Sequence, residues 1–144
     1  IKDHINMMPE HPLRGKNDER FGPRFVNMSE PYSQKMIAKA KELANELHIE
    51  VQDGVYLGLQ GPTFETLSEY KMVKLLGADC VGMSTVPEVI VARHMDLETF
   101  GLSVITDMGN EESIESITHE EVLEAAKSAE PQVRRLIKEL IEKY

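Results

Sequence analysis

The sequence predicts an α/β fold: a mixed, largely parallel sheet flanked by helices. Two observations predict it. Beyond Ser29, stretches of helical period alternate with short apolar runs, in the order helix, strand, helix, strand, helix, strand, helix. The changes between them fall at Gly, Pro or capping sequences, which is where α/β units turn. No repeat or low-complexity tract interrupts this order, so residues 1–144 read as a single unit with no internal boundary.

The first third, Asp3 to Ser29, shows no sustained period and carries Pro9, Pro12, Gly15, Gly22 and Pro23. It reads as a long loop, and loops of this length inside a compact domain are usually functional. Phe21 and Phe25 break its polarity and favour an ordered path. Ser29 can cap a helix with Pro31 in its first turn, in which Met36, Ile37, Ala40, Leu43, Ala44 and Leu47 recur at helical spacing. Val51 to Leu59 is the next strand, with Val51, Val55, Leu57 and Leu59 on the period of two. Gly61-Pro62 breaks it, and a helix is expected from Glu65 to Leu76, stopped by Gly77. Asp79 to Met83 is a short apolar strand. Thr85-Val86-Pro87-Glu88 has the form of a capping box with Pro in the first turn, opening a helix to about Met95. Phe100 to Thr106 is the last strand. Thr118-His119-Glu120-Glu121 is a second capping box, opening a terminal helix that carries Val122, Leu123, Ala126, Val133, Leu136, Ile137 and Leu140.

Composition narrows the function. Hydrophobic residues make up 41% and charged residues 28% of the 144, a globular balance. The net charge of -9 argues against nucleic acid or an anionic membrane as a partner, since both repel a carboxylate-rich surface. No apolar run approaches the ~20 residues of a membrane span. One cysteine, Cys80, excludes an internal disulfide framework and fits a reducing, cytoplasmic compartment. In its apolar strand that thiol reads as buried and inert. The five histidines show no metal-ligand spacing, so no metal site is expected. The start on Ile1, with neither an initiator Met nor a signal-like segment, reads as the interior of a longer polypeptide.

In an α/β sheet, ligands bind at the carboxyl ends of the strands. Gly61, Ser84 and Asp107 all fall at predicted strand ends and are expected to share one edge. Phe64 beside Glu65 offers a face for a planar ligand and a carboxylate for neighbouring N–H groups. By itself the segment is better read as a helix start, with Thr63 as cap and Glu65 favouring the macrodipole. Gly82-Met83-Ser84-Thr85 ends a strand at a helix start, an anion-binding arrangement with a hydroxyl added, or an ordinary cap. Asp107, before Met108-Gly109-Asn110, can bind a ring nitrogen in its protonated form, or simply shape an Asx turn. His119 lies in a first helical turn that can point at the same edge, or be plainly exposed. The acidic run Glu111 to Glu115 reads as a solvated loop. Taken one at a time, these segments are better explained by capping and turns than by chemistry.

Taken together, they are not. Gly61-Pro62-Thr63-Phe64-Glu65-Thr66 followed by the run from Gly77 through Gly82-Met83-Ser84-Thr85-Val86-Pro87-Glu88 to Arg93-His94 closely resembles the trimeric purine nucleoside phosphorylases, the family that includes the methylthioadenosine phosphorylases. Asp3-His4-Ile5-Asn6, Pro12-Leu13-Arg14-Gly15 and Asn17-Asp18-Glu19-Arg20-Phe21 match that family's middle region. The resemblance runs from the first residue past Val122.

The resemblance implies a nucleoside phosphorylase-like fold whose N-terminal part lies outside these residues, and phosphorolysis of purine nucleosides to free base and (deoxy)ribose 1-phosphate. It implies no cofactor, inorganic phosphate as co-substrate, and a homotrimer. Phe64 and Glu65 match the base-binding pair, with Glu65 accepting from the purine N1–H. Glu65 and Asp107 would serve catalysis at the base. Tyr56, Met83 and His119 match ribose-side residues, Ser84 a phosphate ligand, and Phe25 an aromatic that reaches the neighbouring subunit's site. Relatives that prefer 6-oxopurines generally have Asn where this chain has Asp107, and a carboxylate there suits a 6-amino group. Glu65 is the 6-oxopurine signature, so inosine and guanosine are expected first. The family's Gly-rich phosphate loop and its phosphate-binding His and Arg have no counterpart in these residues. A hydrolytic nucleosidase, and a catalytically incomplete purine-binding or oligomerisation fragment, are the competing readings.

Overall fold

The computed structural model describes residues 1–109 and 118–144. Three strands, β1 (Asp3–Asn6), β2 (Val55–Gly58) and β3 (Cys80–Gly82), form a parallel sheet in the order β1-β2-β3. The register pairs His4 with Tyr56 and Tyr56 with Cys80, and Asn6 with Gly58 and Gly58 with Gly82. Among the described residues, four helices accompany it: α1 (Gln34–Glu46), α2 (Leu67–Leu75), α3 (Val86–His94) and α4 (His119–Lys143). The predicted α/β class holds, with the parallel sheet and the flanking helices.

Two apolar clusters hold the layers together. Ala40, Leu43 and Ala44 of α1 meet Leu136 and Leu140 of α4, with Ile49, Val51, Phe100 and Leu102 packed against them. On the sheet, Tyr56 of β2 packs with Val86 and Ile90 of α3, and Met8, Leu13 and Met28 of the long loop cover that group. The loop is thus ordered by burying its apolar residues on α3 and β2.

Several boundaries differ from expectation for local physical reasons. The first four residues of the expected loop are strand β1: its short sequence carries no period, and parallel pairing with β2 decides it. Helix α1 starts at Gln34, capped by Ser33 rather than Ser29; the Ser33 hydroxyl accepts from the Met36 N–H at 3.4 Å. Ser33 is held extended instead: its N–H donates to the Thr99 carbonyl at 2.8 Å, and the Thr99 hydroxyl donates to the Pro31 carbonyl beside it. Strand β2 occupies only the C-terminal half of the expected Val51–Leu59 run. Helix α2 is capped by Thr66, not Thr63, through a capping box with Glu69. Glu65 therefore lies just outside the helix. Gly77, at φ +85°, ends that segment as expected.

The predicted strand from Phe100 to Thr106 forms no ladder among the described residues; Gly101 accepts one bond, from the Ile1 amino group at 2.8 Å. Apolar alternation alone does not make a strand; a ladder needs a neighbour along its length. The capping box at Thr118 forms with Glu121 as predicted and opens α4. Of that helix's expected apolar face, Leu136 and Leu140 are buried, whereas Leu123 stays 54% exposed. The acidic run Glu111 to Glu115 lies outside the described residues.

Candidate functional site

The candidate site is built at the carboxyl ends of β2 and β3. The ladder continues one step past the strands, the Leu59 N–H donating to the Gly82 carbonyl at 2.9 Å. The chain then turns at Gly61, which has φ +68°, and the Gly61–Pro62 peptide bond is cis. The Met83 thioether lies directly against Gly61, in the space that a Cβ there would occupy. Met83 is nonetheless 37% exposed, so its outer side is open to a ligand. Gly61 and Met83 thus form one apolar step at the ends of adjacent strands.

Beyond β3 the expected capping box does not form. Thr85 precedes α3 but makes no side-chain cap, because its backbone adopts φ 71°, ψ -53°. The Val86 N–H donates back to the Ser84 carbonyl at 2.7 Å, closing a γ-turn, a rare and strained conformation for a β-branched residue. The Ser84 and Thr85 hydroxyls lie 3.1 Å apart. The Ser84 N–H donates to the Tyr56 hydroxyl at 3.1 Å. Tyr56 is buried, and Gly82 leaves the space its hydroxyl fills. Two hydroxyls side by side on a strained turn can serve an anion at the start of α3.

Next to this turn, the segment before α2 presents Phe64 and Glu65. Phe64 is 47% exposed, an aromatic face available for stacking. The Thr66–Glu69 capping box fixes the chain there: the Glu69 carboxylate accepts from the Thr66 N–H at 2.7 Å and from its hydroxyl at 2.8 Å. Glu65 is half-buried just before α2, which carries Tyr70 in its first turn. Burial pushes the Glu65 carboxyl above its ordinary range; the charges of Glu69 and Asp107 push the same way, and the Tyr70 hydroxyl opposes them. Burial likewise raises the Tyr70 phenol, with Glu65 and Asp107 adding to it. Asp107 accepts from the Thr106 hydroxyl at 3.0 Å. Gly109, two residues on, packs against the Tyr70 ring; a Cβ there would come within 2.7 Å of two ring carbons.

The structure therefore brings Phe64, Glu65 and Asp107 into one neighbourhood, and Tyr56, Met83 and Ser84 into the adjoining one. Two other candidates stand apart. His119 is exposed at the first position of α4, with no hydrogen bond to the other candidates among the described residues. Phe25 is 89% exposed on the long loop. That loop is nevertheless fixed: Arg24 donates to the Leu13 and Gly15 carbonyls at 2.9 Å, and Asn17 bridges the Gly22 carbonyl and the buried His94 ring at 3.0 and 3.1 Å.

Sequence reasoning missed two members of this arrangement. Tyr70 sits inside a helix pattern and carried no motif signal. Its first-turn position five residues after Glu65 was the only available cue. Thr85 reads as a cap, and nothing in its sequence context announces a positive φ.

Comparison with known proteins gives this geometry a family. Residues 1–142 match the model of the phosphorylase superfamily. The chain is 47% identical over 151 residues to a purine nucleoside phosphorylase of Mus musculus, covering 99% of this chain and 52% of that one. It is 43% identical over 141 residues to purine nucleoside phosphorylase 1 of Geobacillus stearothermophilus, covering 98% of this chain and 52% of that one. The Schistosoma mansoni purine nucleoside phosphorylase solved with inosine superposes with a TM-score of 0.92 at 35% identity, covering 99% of this chain and 53% of that one. The chain spans about half the length of the curated relatives it matches.

Proposed function

The chain belongs to the phosphorylase superfamily, and on that premise we propose that the protein carrying it cleaves the N-glycosidic bond of purine nucleosides with inorganic phosphate. The products are free base and (deoxy)ribose 1-phosphate, and inosine and guanosine are the preferred substrates. The observation that carries this reading is the gathering of Phe64, Glu65 and Asp107 beside the Met83–Ser84–Thr85 turn at one sheet edge.

The roles follow from how the bond breaks. The purine leaves with growing negative charge on its ring, and the sugar becomes oxocarbenium-like. Phe64 offers its face to the ring. The ionised Glu65 carboxylate accepts from the purine N1–H and, in guanine, from the 2-amino group. Asp107 faces N7, where charge accumulates, and donates to it when it carries a proton; a preorganised donor of this kind lowers the barrier by roughly 2.7–4 kcal/mol. Met83 packs under the ribose, with Tyr56 and His119 assigned to its hydroxyls. The Ser84 hydroxyl is one ligand of the phosphate, which first stabilises the cationic sugar and then attacks its anomeric carbon. No further cofactor enters this scheme. The protein acts in the cytoplasm as a homotrimer, with Phe25 completing a neighbouring subunit's site.

The test is hypoxanthine release from inosine by the complete protein, with and without phosphate. Release that depends on phosphate supports phosphorolysis. Equal release in phosphate-free buffer would make it a hydrolase, and binding of hypoxanthine without turnover would leave a purine-binding module. A specific observation favours a broader substrate range: the carboxylate of Asp107 suits a 6-amino group, so adenosine belongs in the same assay.

A further inference from the structure

We propose that His94 is a positioning residue for the neighbouring subunit's site: it touches no substrate, but anchors the loop that presents Phe25. The inference rests on the reading of Phe25 as an aromatic that completes a second copy's purine pocket, and it names what holds Phe25 in place.

The loop is pinned along its length. Leu13 and Met28 pack on the group formed by Tyr56, Val86 and Ile90. Between them, the Phe21 N–H donates to the Asp18 carbonyl at 3.1 Å, closing a turn that brings Asn17 and Gly22 together. The Asn17 Nδ2 donates to the Gly22 carbonyl at 3.0 Å. That leaves the Asn17 Oδ1 to accept from the Nε2–H of the buried His94 ring at 3.1 Å. Gly22 also lies against the backbone of His94: a Cβ there would fall 1.8 Å from the His94 carbonyl oxygen. Arg24 folds back onto the Leu13 and Gly15 carbonyls, each at 2.9 Å.

Held on both sides, residues 23–27 carry Phe25 outward, almost fully exposed. A free loop would lose conformational freedom each time its aromatic entered a partner, whereas a pinned loop has lost it already in folding. His94 is the buried side chain on which this pinning turns. It ends α3, and the nine residues of that helix, at about 1.5 Å each, separate it from the Thr85 turn of its own subunit. Its influence on nucleoside binding therefore passes through the loop to the neighbour.

The test is His94→Ala in the complete protein, alone and combined with Phe25→Ala. We expect the single variant to raise the KM for inosine about fivefold, the fold-change of one lost hydrogen bond. Its kcat and phosphate KM should stay near wild type. In the Phe25→Ala background the same substitution should leave the inosine KM unchanged, because the group it positions is gone. His94→Gln, which keeps a side-chain N–H, should restore most of the loss. Hydrogen exchange read by mass spectrometry should quicken over residues 13–28 in His94→Ala and stay the same in α1 and α4. Should His94→Ala fail to fold, Asn17→Ala breaks the same bond from the loop side and should give the same pattern. Additive effects on KM, an inosine KM unchanged by His94→Ala or by Phe25→Ala, or an undisturbed loop would each overturn the inference. A wild type that does not cleave inosine would strike the proposed function alone; loop exchange in His94→Ala then decides the anchoring by itself.

Discussion

The Tyr56 hydroxyl accepts a hydrogen bond from the Ser84 backbone N–H at 3.1 Å, tying the middle of one parallel strand to the turn that follows the next. The parallel ladder between these strands ends near Gly82, so the N–H of Ser84 has no strand partner, and a buried tyrosine supplies one. Tyr56 reaches it only because position 82 has no side chain. The resemblance assigns Tyr56 to the sugar and Ser84 to phosphate. The geometry joins the two, so a change at one is felt at the other.

Tyr56→Phe should therefore cost about 1 kcal/mol of stability and raise the KM for phosphate several-fold. KM for inosine should change less if the hydroxyl serves mainly to hold Ser84. Steady-state kinetics with each substrate varied in turn measure both. A larger change in the nucleoside KM would place the hydroxyl on the ribose instead.

Thr85→Gly should stabilise the fold while weakening phosphate use. A β-branched residue at φ 71° is held against its preference, at a cost of about 1–3 kcal/mol. Glycine removes that strain and returns about 0.5–1 kcal/mol of it through its freer unfolded chain, leaving a net gain of about 1 kcal/mol. The loss of the second hydroxyl and of the enforced turn should raise the phosphate KM. Denaturant unfolding beside kinetics would show stability and activity moving in opposite directions; a destabilised variant would mean that Thr85 is not strained.

How much of this was legible in the sequence depends on the range of the interactions. Thr118-His119-Glu120-Glu121 announced its capping box because both partners lie within one turn. Thr85-Val86-Pro87-Glu88 spelled the same box and did not form it, because the γ-turn at Thr85 overrides local preference. Asp3–Asn6 carries no strand signal, since pairing with residues 52 positions away creates that strand. The site was legible as an ordered set of motifs. The packing of Gly109 on the Tyr70 ring was not, because only the fold brings those two residues together.

Glu65→Gln should abolish turnover of 6-oxopurines yet raise thermal stability at neutral pH. Burial first, and then Glu69 and Asp107, raise the folded-state pKa of Glu65 above the ordinary 4.5. Between the unfolded and folded values the native state binds more proton than the unfolded one, so this group's contribution to stability falls as pH rises through that window. Above the window the full penalty of a half-buried carboxylate is present, and Gln relieves it. The difference in Tm between variant and wild type should shrink as pH is lowered toward 4.5 and below. A difference independent of pH would show that the gain does not come from ionisation.

Gly61→Ala tests whether the apolar step under the sugar is as tight as it looks. Two separate effects act on the alanine. The backbone at φ +68° is left-handed, which costs an L-residue about 1–2 kcal/mol. The new methyl also enters the space of the Met83 sulfur, and the flexible thioether must swing away, toward the open side of the site. The first effect lowers stability only, whereas the second should raise the nucleoside KM. Combining the substitution with Met83→Ala separates them. The backbone term should survive in the double variant, while the steric term vanishes, so the two single costs should exceed the double by about 1 kcal/mol. Additive costs would mean that Met83 moves freely, and that its contact with Gly61 does not shape the pocket.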